Sequence, residues 1–166
     1  MKTDITVNHE VGRKGHAVKA LVLHRTEGSF MSGMSWTHDV KSQVSYHFII
    51  DLDGVVYNTV DIKDTAWANG LVTNGTWKGL EKGVNPNLTT ISIALSGLAK
   101  DKPTDAQVLA LTNLMGELSV QVDIPLNENT VVFHREIRAD KTCPGVVPSK
   151  EILIMFAEAY KRYNRY

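Results

Sequence analysis

The segment VKALVLHR, Val18–Arg25, is a nearly continuous run of aliphatic residues that ends in a histidine and an arginine. A strand with one face in water alternates apolar and polar residues. This run shows little alternation, so it predicts a strand buried on both faces. Such strands lie within parallel or mixed sheets that are covered by other layers of structure. The segment therefore predicts an α/β fold in which it forms a buried strand.

Further strands are predicted on the C-terminal side of this segment. SYHFIIDLDGVVYNTV, Ser45–Val60, indicates a β-hairpin, because two β-rich runs flank Asp53-Gly54, a dipeptide that tolerates positive φ in tight turns. Thr89–Gly97 and Val131–Ile137 each favour another strand. Residues 61–88 contain four glycines and two tryptophans without a sustained period. They predict a long loop, and long ordered loops are often functional.

Two helices complete the predicted arrangement. Thr104 is a good N-cap, and Gln107, three residues later, completes a capping-box pattern. The buried face of this helix is predicted from helical spacing to contain Val108, Leu111, Leu114, Met115 and Leu118. The last helix starts near Pro148-Ser149, with a predicted apolar face of Ile152, Leu153, Phe156 and Tyr160. We therefore expect one α/β domain, residues 1–166, with a central mixed β-sheet flanked by helices.

Composition narrows the function classes. The 166 residues are 43% hydrophobic, and 18 basic residues balance 18 acidic ones. No lysine- or arginine-rich stripe is present, which argues against nucleic acid as a partner. No apolar run approaches the roughly 18 residues that span a membrane, so we expect no membrane insertion. The start, MKTDITVNHEVGRKGH, lacks an apolar segment, so we expect no secretory signal.

A candidate metal site is formed by His24, at the end of the first strand, and by the segment TVVFHREIRADKTCPG, 130–145. This segment contains His134 and the only cysteine, Cys143. Two imidazoles and a thiolate suit zinc, and three protein ligands leave a fourth position for water. The residue types alone leave the ordinary alternative open. A histidine at a strand end is often just partly buried, and a lone cysteine often acts as a small apolar residue.

Other polar and aromatic residues lie in the neighbouring segments. Tyr46 is also an ordinary strand residue, and Lys141 is also an ordinary loop lysine. Beside a bound dication, however, the Lys141 ammonium would stabilise a developing oxyanion. The tryptophans Trp36, Trp67 and Trp77 are candidates for core anchors, and the last two are equally candidates for a platform that binds a sugar or a peptide.

Five segments, taken in order, resemble the zinc-dependent N-acetylmuramoyl-L-alanine amidases, the family shared by phage lysins and peptidoglycan recognition proteins. They are ALVLHRTEG, VSYHFIIDLDGVVYNTV, TAWANG, TTISIALSG and VVFHREIRADKTCPG, and together they extend roughly from Val18 to Gly145. The resemblance implies a central mixed sheet flanked by helices, with a zinc groove on one face. It also implies one zinc ion, held by His24, His134 and Cys143.

The resemblance implies roles for other residues. Tyr46 matches a tyrosine that assists the zinc water, and Lys141 matches a lysine that supports the transition state. We expect Thr26, Trp67 and Asn69 to bind substrate.

Two positions depart from the family pattern. Many relatives have Trp-His-Ala-Gly where this chain has Trp67-Ala68-Asn69-Gly70, and one branch uses a glutamate as general base where this chain has Ala94.

The function implied by the resemblance is zinc-dependent hydrolysis of the amide between N-acetylmuramic acid and L-alanine in bacterial peptidoglycan. We expect a phage-type endolysin that is made in the host cytoplasm and released to the cell wall. Two alternatives stay open: a cytoplasmic amidase that recycles anhydromuropeptides, and a peptidoglycan-binding module without catalysis.

Overall fold

A computed structural model describes residues 1–164 of the chain. Within these residues the strands are β1 Lys2–Thr3, β2 His9–Glu10, β3 Ala20–Arg25, β4 Phe48–Ile50, β5 Val56–Asn58, β6 Thr65–Ala66, β7 Thr90–Leu95 and β8 Val131–Phe133. The α-helices are α1 Phe30–His38, α2 Asp105–Gln121 and α3 Lys150–Asn164. No helix in this part of the chain is long and apolar enough to cross a membrane.

Strand β3 lies inside a mixed sheet of order β1-β5-β4-β7-β3-β8. It is parallel to both of its neighbours, β7 and β8, and β4 is parallel to β7. Strands β4 and β5 form the antiparallel hairpin predicted around Asp53-Gly54. A separate antiparallel ribbon joins β2 and β6. The predicted α/β fold, with a mixed central sheet flanked by helices, is confirmed.

The two faces of the sheet have different characters. On one face, Leu21 and Leu23 of β3 pack into a large apolar core with residues of α2 and α3. On the other face, Val22 contacts Trp77 of the long loop. Strand β3 is buried along its whole length, as its continuous apolar run predicted. The second face also carries the small or polar side chains Thr90, Ser92 and Ala94 of β7, and that face leaves room for a site.

Helix α2 begins as predicted. Thr104 accepts a hydrogen bond from the Gln107 backbone N–H at 3.1 Å, and the Gln107 side chain accepts one from the Thr104 N–H at 3.2 Å. Helices α2 and α3 pack closely at Gly116, where a β-carbon would lie 3.0 Å from the Ala157 carbonyl oxygen. Glycine therefore permits the close contact between these two helices.

The predicted apolar face of α3 was partly wrong. Leu153 and Ala157 are fully buried, whereas Ile152 and Phe156 are about half exposed. The reason is geometric: α3 packs chiefly on α2 along a narrow stripe, and residues four apart occupy that stripe. A neighbour one position away points about 100° around the helix and reaches solvent.

The predicted strand Val131–Ile137 was too long. Strand β8 ends at Phe133, and His134–Glu136 form one turn of 3₁₀ helix. The Glu136 carboxylate accepts a hydrogen bond from the Phe133 N–H at 2.7 Å, and the Ile137 N–H donates to the His134 carbonyl at 2.9 Å. These local bonds compete with strand pairing and turn the chain at His134.

Truncation of a core side chain tests the packing of α2. Leu111→Ala should lower the free energy of unfolding by about 2–5 kcal/mol, because it leaves a cavity beneath the sheet. Leu111 is 0% exposed and Leu109, on the same helix, is 63% exposed. Leu109→Ala should therefore change stability by no more than about 0.5 kcal/mol. Urea unfolding measures both, and equal losses would contradict this packing.

Candidate active site

His24 and His134 meet at the carboxyl ends of two adjacent parallel strands. The register pairs Leu23 of β3 with Phe133 of β8, and the residue that follows each of them in sequence is a histidine, His24 or His134. Their rings tilt against each other with centroids 4.5 Å apart. Parallel pairing therefore brings together two residues that are far apart in sequence.

Cys143 joins this pair from the loop that follows the 3₁₀ turn. Its Sγ lies 3.9 Å from His24 Nδ1, and the Arg25 backbone N–H donates to Sγ at 3.1 Å. The Arg135 N–H donates to the Cys143 carbonyl at 3.0 Å. One ligand atom from each of His24, His134 and Cys143 lies within 4.8 Å of the other two.

The buried guanidinium of Arg25 fixes the loop that carries Cys143. It lies at the end of β3 and donates only to backbone carbonyls. The acceptors are Pro144 at 3.4 Å, Ser96 at 3.2 Å, Asp101 at 2.8 Å and Val146 at 3.2 Å. Hydrogen bonds from a charged donor are stronger than neutral ones, so the loop is held to the sheet by protein contacts.

The three side chains fit a zinc ion. His134 Nε2 lies 3.1 Å from the Asn69 backbone oxygen, which leaves Nδ1 as its free nitrogen. His24 likewise directs Nδ1 toward Cys143, while its Nε2 is buried without a hydrogen-bond partner among the described residues. Two imidazole nitrogens and one sulfur are ligands that zinc accepts, and three protein ligands are typical of catalytic zinc sites.

Burial controls the charge of these groups. It lowers the pKa of His24 well below the usual range, and the neighbouring His134 lowers it further. Burial also lowers the pKa of His134, so both imidazoles are neutral near pH 7, as metal ligands must be. Burial raises the pKa of the Cys143 thiol to about 12, and a nearby dication would favour the thiolate. Burial likewise raises the pKa of Tyr46, so its hydroxyl stays protonated.

All eight residues predicted for the site line one cleft of about 520 Å³. His24, His134 and Cys143 form its buried part. The half-buried Tyr46 ring lies 5.3 Å from the His24 ring. Lys141 is exposed at the rim, and its ammonium has no carboxylate within 4.0 Å among residues 1–164.

The three predicted substrate contacts differ in exposure. Trp67 is half-buried and lies between the cleft and an adjoining hollow of about 320 Å³. Thr26 is also half-buried, and its hydroxyl donates to the Gly28 carbonyl at 2.9 Å and accepts from the Gly97 N–H at 3.3 Å. Asn69 is fully buried in the wall of the cleft. The exposure of Trp67 and Thr26 is compatible with a substrate contact, whereas the burial of Asn69 favours a supporting role.

Several cleft residues were not predicted from the sequence. Trp36, treated as a candidate core anchor, is 55% exposed and lines the cleft from α1. Trp77 is a core anchor, with Nε1 donating to the Asn129 carbonyl at 2.7 Å, so it is not a substrate platform. Arg138 and Asp140 also line the cleft and form a two-pronged pair at 3.1 and 2.6 Å. Both residues lie between His134 and Cys143 in sequence, and this closeness to two predicted ligands is the signal that could have identified them.

Comparison with known proteins identifies similar sequences and folds. A family model described as N-acetylmuramoyl-L-alanine amidase matches residues 14–146. A crystal structure of an AmpD derivative is 21% identical, covering 96% of this chain and 93% of that chain, with a TM-score of 0.74. The endolysin LysCS from Clostridium intestinale is 22% identical, covering 91% of each chain, with a TM-score of 0.67.

The amidase AmiD from E. coli, solved with anhydro-N-acetylmuramic acid-L-Ala-D-gamma-Glu-L-Lys, is also similar. It is 24% identical, covering 84% of this chain and 57% of that chain, with a TM-score of 0.72. No curated protein matches this chain significantly. At these identities the structural likenesses establish the shared fold.

Proposed function

The chain belongs to the N-acetylmuramoyl-L-alanine amidase family and is an enzyme of that class, and we propose that its cleft hydrolyses muramyl amides with one zinc ion. The observation that carries the proposal is the convergence of His24, His134 and Cys143 at the buried end of an open cleft. The bond proposed for cleavage joins the lactyl group of N-acetylmuramic acid to L-alanine.

The metal ligands in this proposal are the Nδ1 atoms of the two histidines and the sulfur of Cys143. When bound, zinc supplies Lewis acidity, which activates water at neutral pH and polarises a carbonyl oxygen. The Arg25 backbone N–H, 3.1 Å from the sulfur, donates to the thiolate and disperses part of its charge.

Tyr46 and Lys141 are proposed as the catalytic groups. Hydrolysis of an amide creates negative charge on the carbonyl oxygen, and donors aimed at that oxygen stabilise the transition state. The protonated Tyr46 hydroxyl is such a donor, and its backbone is fixed because its carbonyl accepts from the Thr59 hydroxyl at 2.6 Å. Lys141 offers a positive charge that no ion pair within residues 1–164 neutralises.

Position 94 supports this division of roles. Ala94 lies beside His24 in the β3–β7 register and packs with Ile49 and Met34. The sheet surface next to the histidines is therefore apolar where one branch of the family places a glutamate. Position 94 supplies no carboxylate to this site, so stabilisation of the developing charge is assigned to Tyr46 and Lys141.

The proposed substrate is cell-wall peptidoglycan, and the proposed role is that of an endolysin acting on the wall after release from the host cytoplasm. The endolysin LysCS, which shares the fold over 91% of each chain, is a neighbour with this role. Soluble anhydromuropeptides are a second candidate, because the similar AmiD was solved with an anhydromuramyl tripeptide. In either case the exposed Trp36 and the half-buried Trp67 offer aromatic surfaces to a sugar or peptide.

Metal analysis tests the ligand set. The purified protein should contain about one zinc per chain, and His134→Ala or Cys143→Ser should each weaken zinc binding. The loss should exceed the about 10–100-fold typical for removal of an outer-shell partner. Chelator competition measures the affinity, with Lys141→Ala as a control that keeps all three ligands. Full zinc affinity in Cys143→Ser would remove it from the ligand set.

Kinetics test the two catalytic groups. Tyr46→Phe and Lys141→Ala should each lower kcat by about 10²–10³, because each removes one donor to the developing negative charge. Zinc content and thermal stability should stay near wild type. The exposed Lys102, outside the cleft, provides a matched Lys102→Ala control. Near-normal turnover in either site variant would exclude the proposed role of that residue.

Two substrates separate wall lysis from recycling. Turbidity of purified cell walls and cleavage of a soluble anhydromuramyl tripeptide should be compared for the same enzyme preparation. An endolysin should clear the walls, and His134→Ala should abolish clearing. Cleavage of the tripeptide without wall clearing would favour the recycling role.

A further inference from the structure

Among residues 1–164, His24 Nε2 and Asn69 Oδ1 are the two buried side-chain polar atoms without a hydrogen-bond partner. Unpaired buried polar atoms are rare because each loses its contacts with water, so such a pair requires an explanation. One atom is a ring nitrogen and the other an amide oxygen. They are chemically complementary if the imidazole carries its proton on Nε2.

We propose that Asn69 is a positioning residue for both histidine ligands, its side-chain oxygen facing His24 Nε2–H and its backbone oxygen accepting from His134 Nε2–H. The two contacts direct both Nδ1 atoms into the cleft. This inference rests on the proposed zinc centre, and it adds a residue that sets the tautomer and orientation of two ligands at once.

The backbone half of this arrangement is a direct contact. The Asn69 carbonyl lies 3.1 Å from His134 Nε2, and because a carbonyl only accepts, Nε2 carries the proton. The Asn69 backbone is itself fixed, since its N–H donates to the Asn87 side-chain oxygen at 2.8 Å. The same oxygen accepts from the Ala68 N–H at 3.2 Å. The acceptor is therefore held in place independently of the histidine.

The orientation of the Asn69 amide follows from its other neighbour. The Thr90 hydroxyl donates to the Pro86 carbonyl at 2.8 Å, so its oxygen is left to accept. Asn69 Nδ2 lies 2.9 Å from this oxygen and donates to it. The amide nitrogen must then point to Thr90, which leaves Oδ1 as the acceptor on the opposite side.

The partner left for this acceptor is His24 Nε2. Asn69 contacts His134, whose ring centroid lies 4.5 Å from that of His24. Among residues 1–164, Asn69 Oδ1 and His24 Nε2 are both buried without a partner, and both residues line the same cleft. Histidine ligands of metals commonly donate their second N–H to an oxygen that fixes the ring, and Asn69 offers two such oxygens.

Three variants test the inference through metal binding rather than turnover. Asn69→Leu removes both polar atoms of the side chain, Oδ1 and Nδ2, at similar volume and keeps the backbone oxygen. Zinc affinity measured by chelator competition should fall by about 10–100-fold. Asn69→Asp keeps an acceptor toward His24 and should retain affinity close to wild type. Asn8 is equally buried, lies outside the cleft and donates to the Thr37 carbonyl at 2.9 Å, so Asn8→Leu controls for general destabilisation.

The spectrum of cobalt bound to each variant supplies a second readout. Asn69→Leu should shift the visible cobalt bands, because the imidazole orientations change, while Asn8→Leu should leave them unaltered. If Asn69→Leu does not fold, Thr90→Val frees the amide to flip, and the same weaker zinc binding is expected from it.

The outcomes are distinct. Wild-type zinc affinity and an unchanged cobalt spectrum in Asn69→Leu, or in Thr90→Val if it replaces that variant, would overturn the positioning role and leave the zinc centre intact. Equal weakening in Asn69→Leu and Asn69→Asp would exclude the acceptor oxygen as the cause. Absence of zinc binding in the wild-type protein would refute the proposed centre itself, and this inference with it.

Discussion

The parallel pairing of β3 with β8 is the constraint on which the site depends. It places His24 and His134 at the same height on one face of the sheet. Side chains alternate between faces along a strand, so a register slip of one residue would move His24 into the apolar core beside α2. The packing of Leu21 and Leu23 against the helices therefore also fixes the face on which His24 lies.

A second set of contacts surrounds the buried guanidinium of Arg13. The guanidinium of Arg13 donates to the Leu88 carbonyl at 3.1 Å and the Thr90 carbonyl at 3.0 Å, and it lies 2.9 Å from His47 Nε2. Burial lowers the pKa of Arg13 to about 10 and that of His47 to about 3. The Arg13 guanidinium therefore stays charged at neutral pH, while the His47 imidazole beside it stays neutral. This buried contact holds the N-terminal segment against the loop that contains Asn69.

The sequence predicted the elements whose cause is local. The apolar run of Val18–Arg25 and the capping box at Thr104 each carry their own signal, and both appear in the structure. Residue type and position at strand ends suggested His24, His134 and Cys143 as one candidate set. The family resemblance was needed to choose between a zinc site and ordinary buried residues, because no spacing rule relates His24 to Cys143. The structure then places them in one cleft.

The remaining incorrect predictions depend on side-chain contacts that residue type and periodicity do not reveal. Strand β8 was predicted too long because the Glu136 side chain competes with the ladder, a contact that propensity does not reveal. The exposure of Trp36 and of Phe156 depends on which surfaces other elements cover. The roles of Arg13 and Arg25 depend on carbonyl groups brought together from distant parts of the chain, so residue type gave no indication of them.

The alanine beside His24 limits how the site can be redesigned. Ala94 packs against Met34 of α1 and Ile49 of β4, so a glutamate introduced there would bury its carboxylate against apolar side chains. Such a variant would need accompanying substitutions in α1 and β4 to accommodate the charge. The packing around one small side chain therefore sets which residues of the site must be changed together.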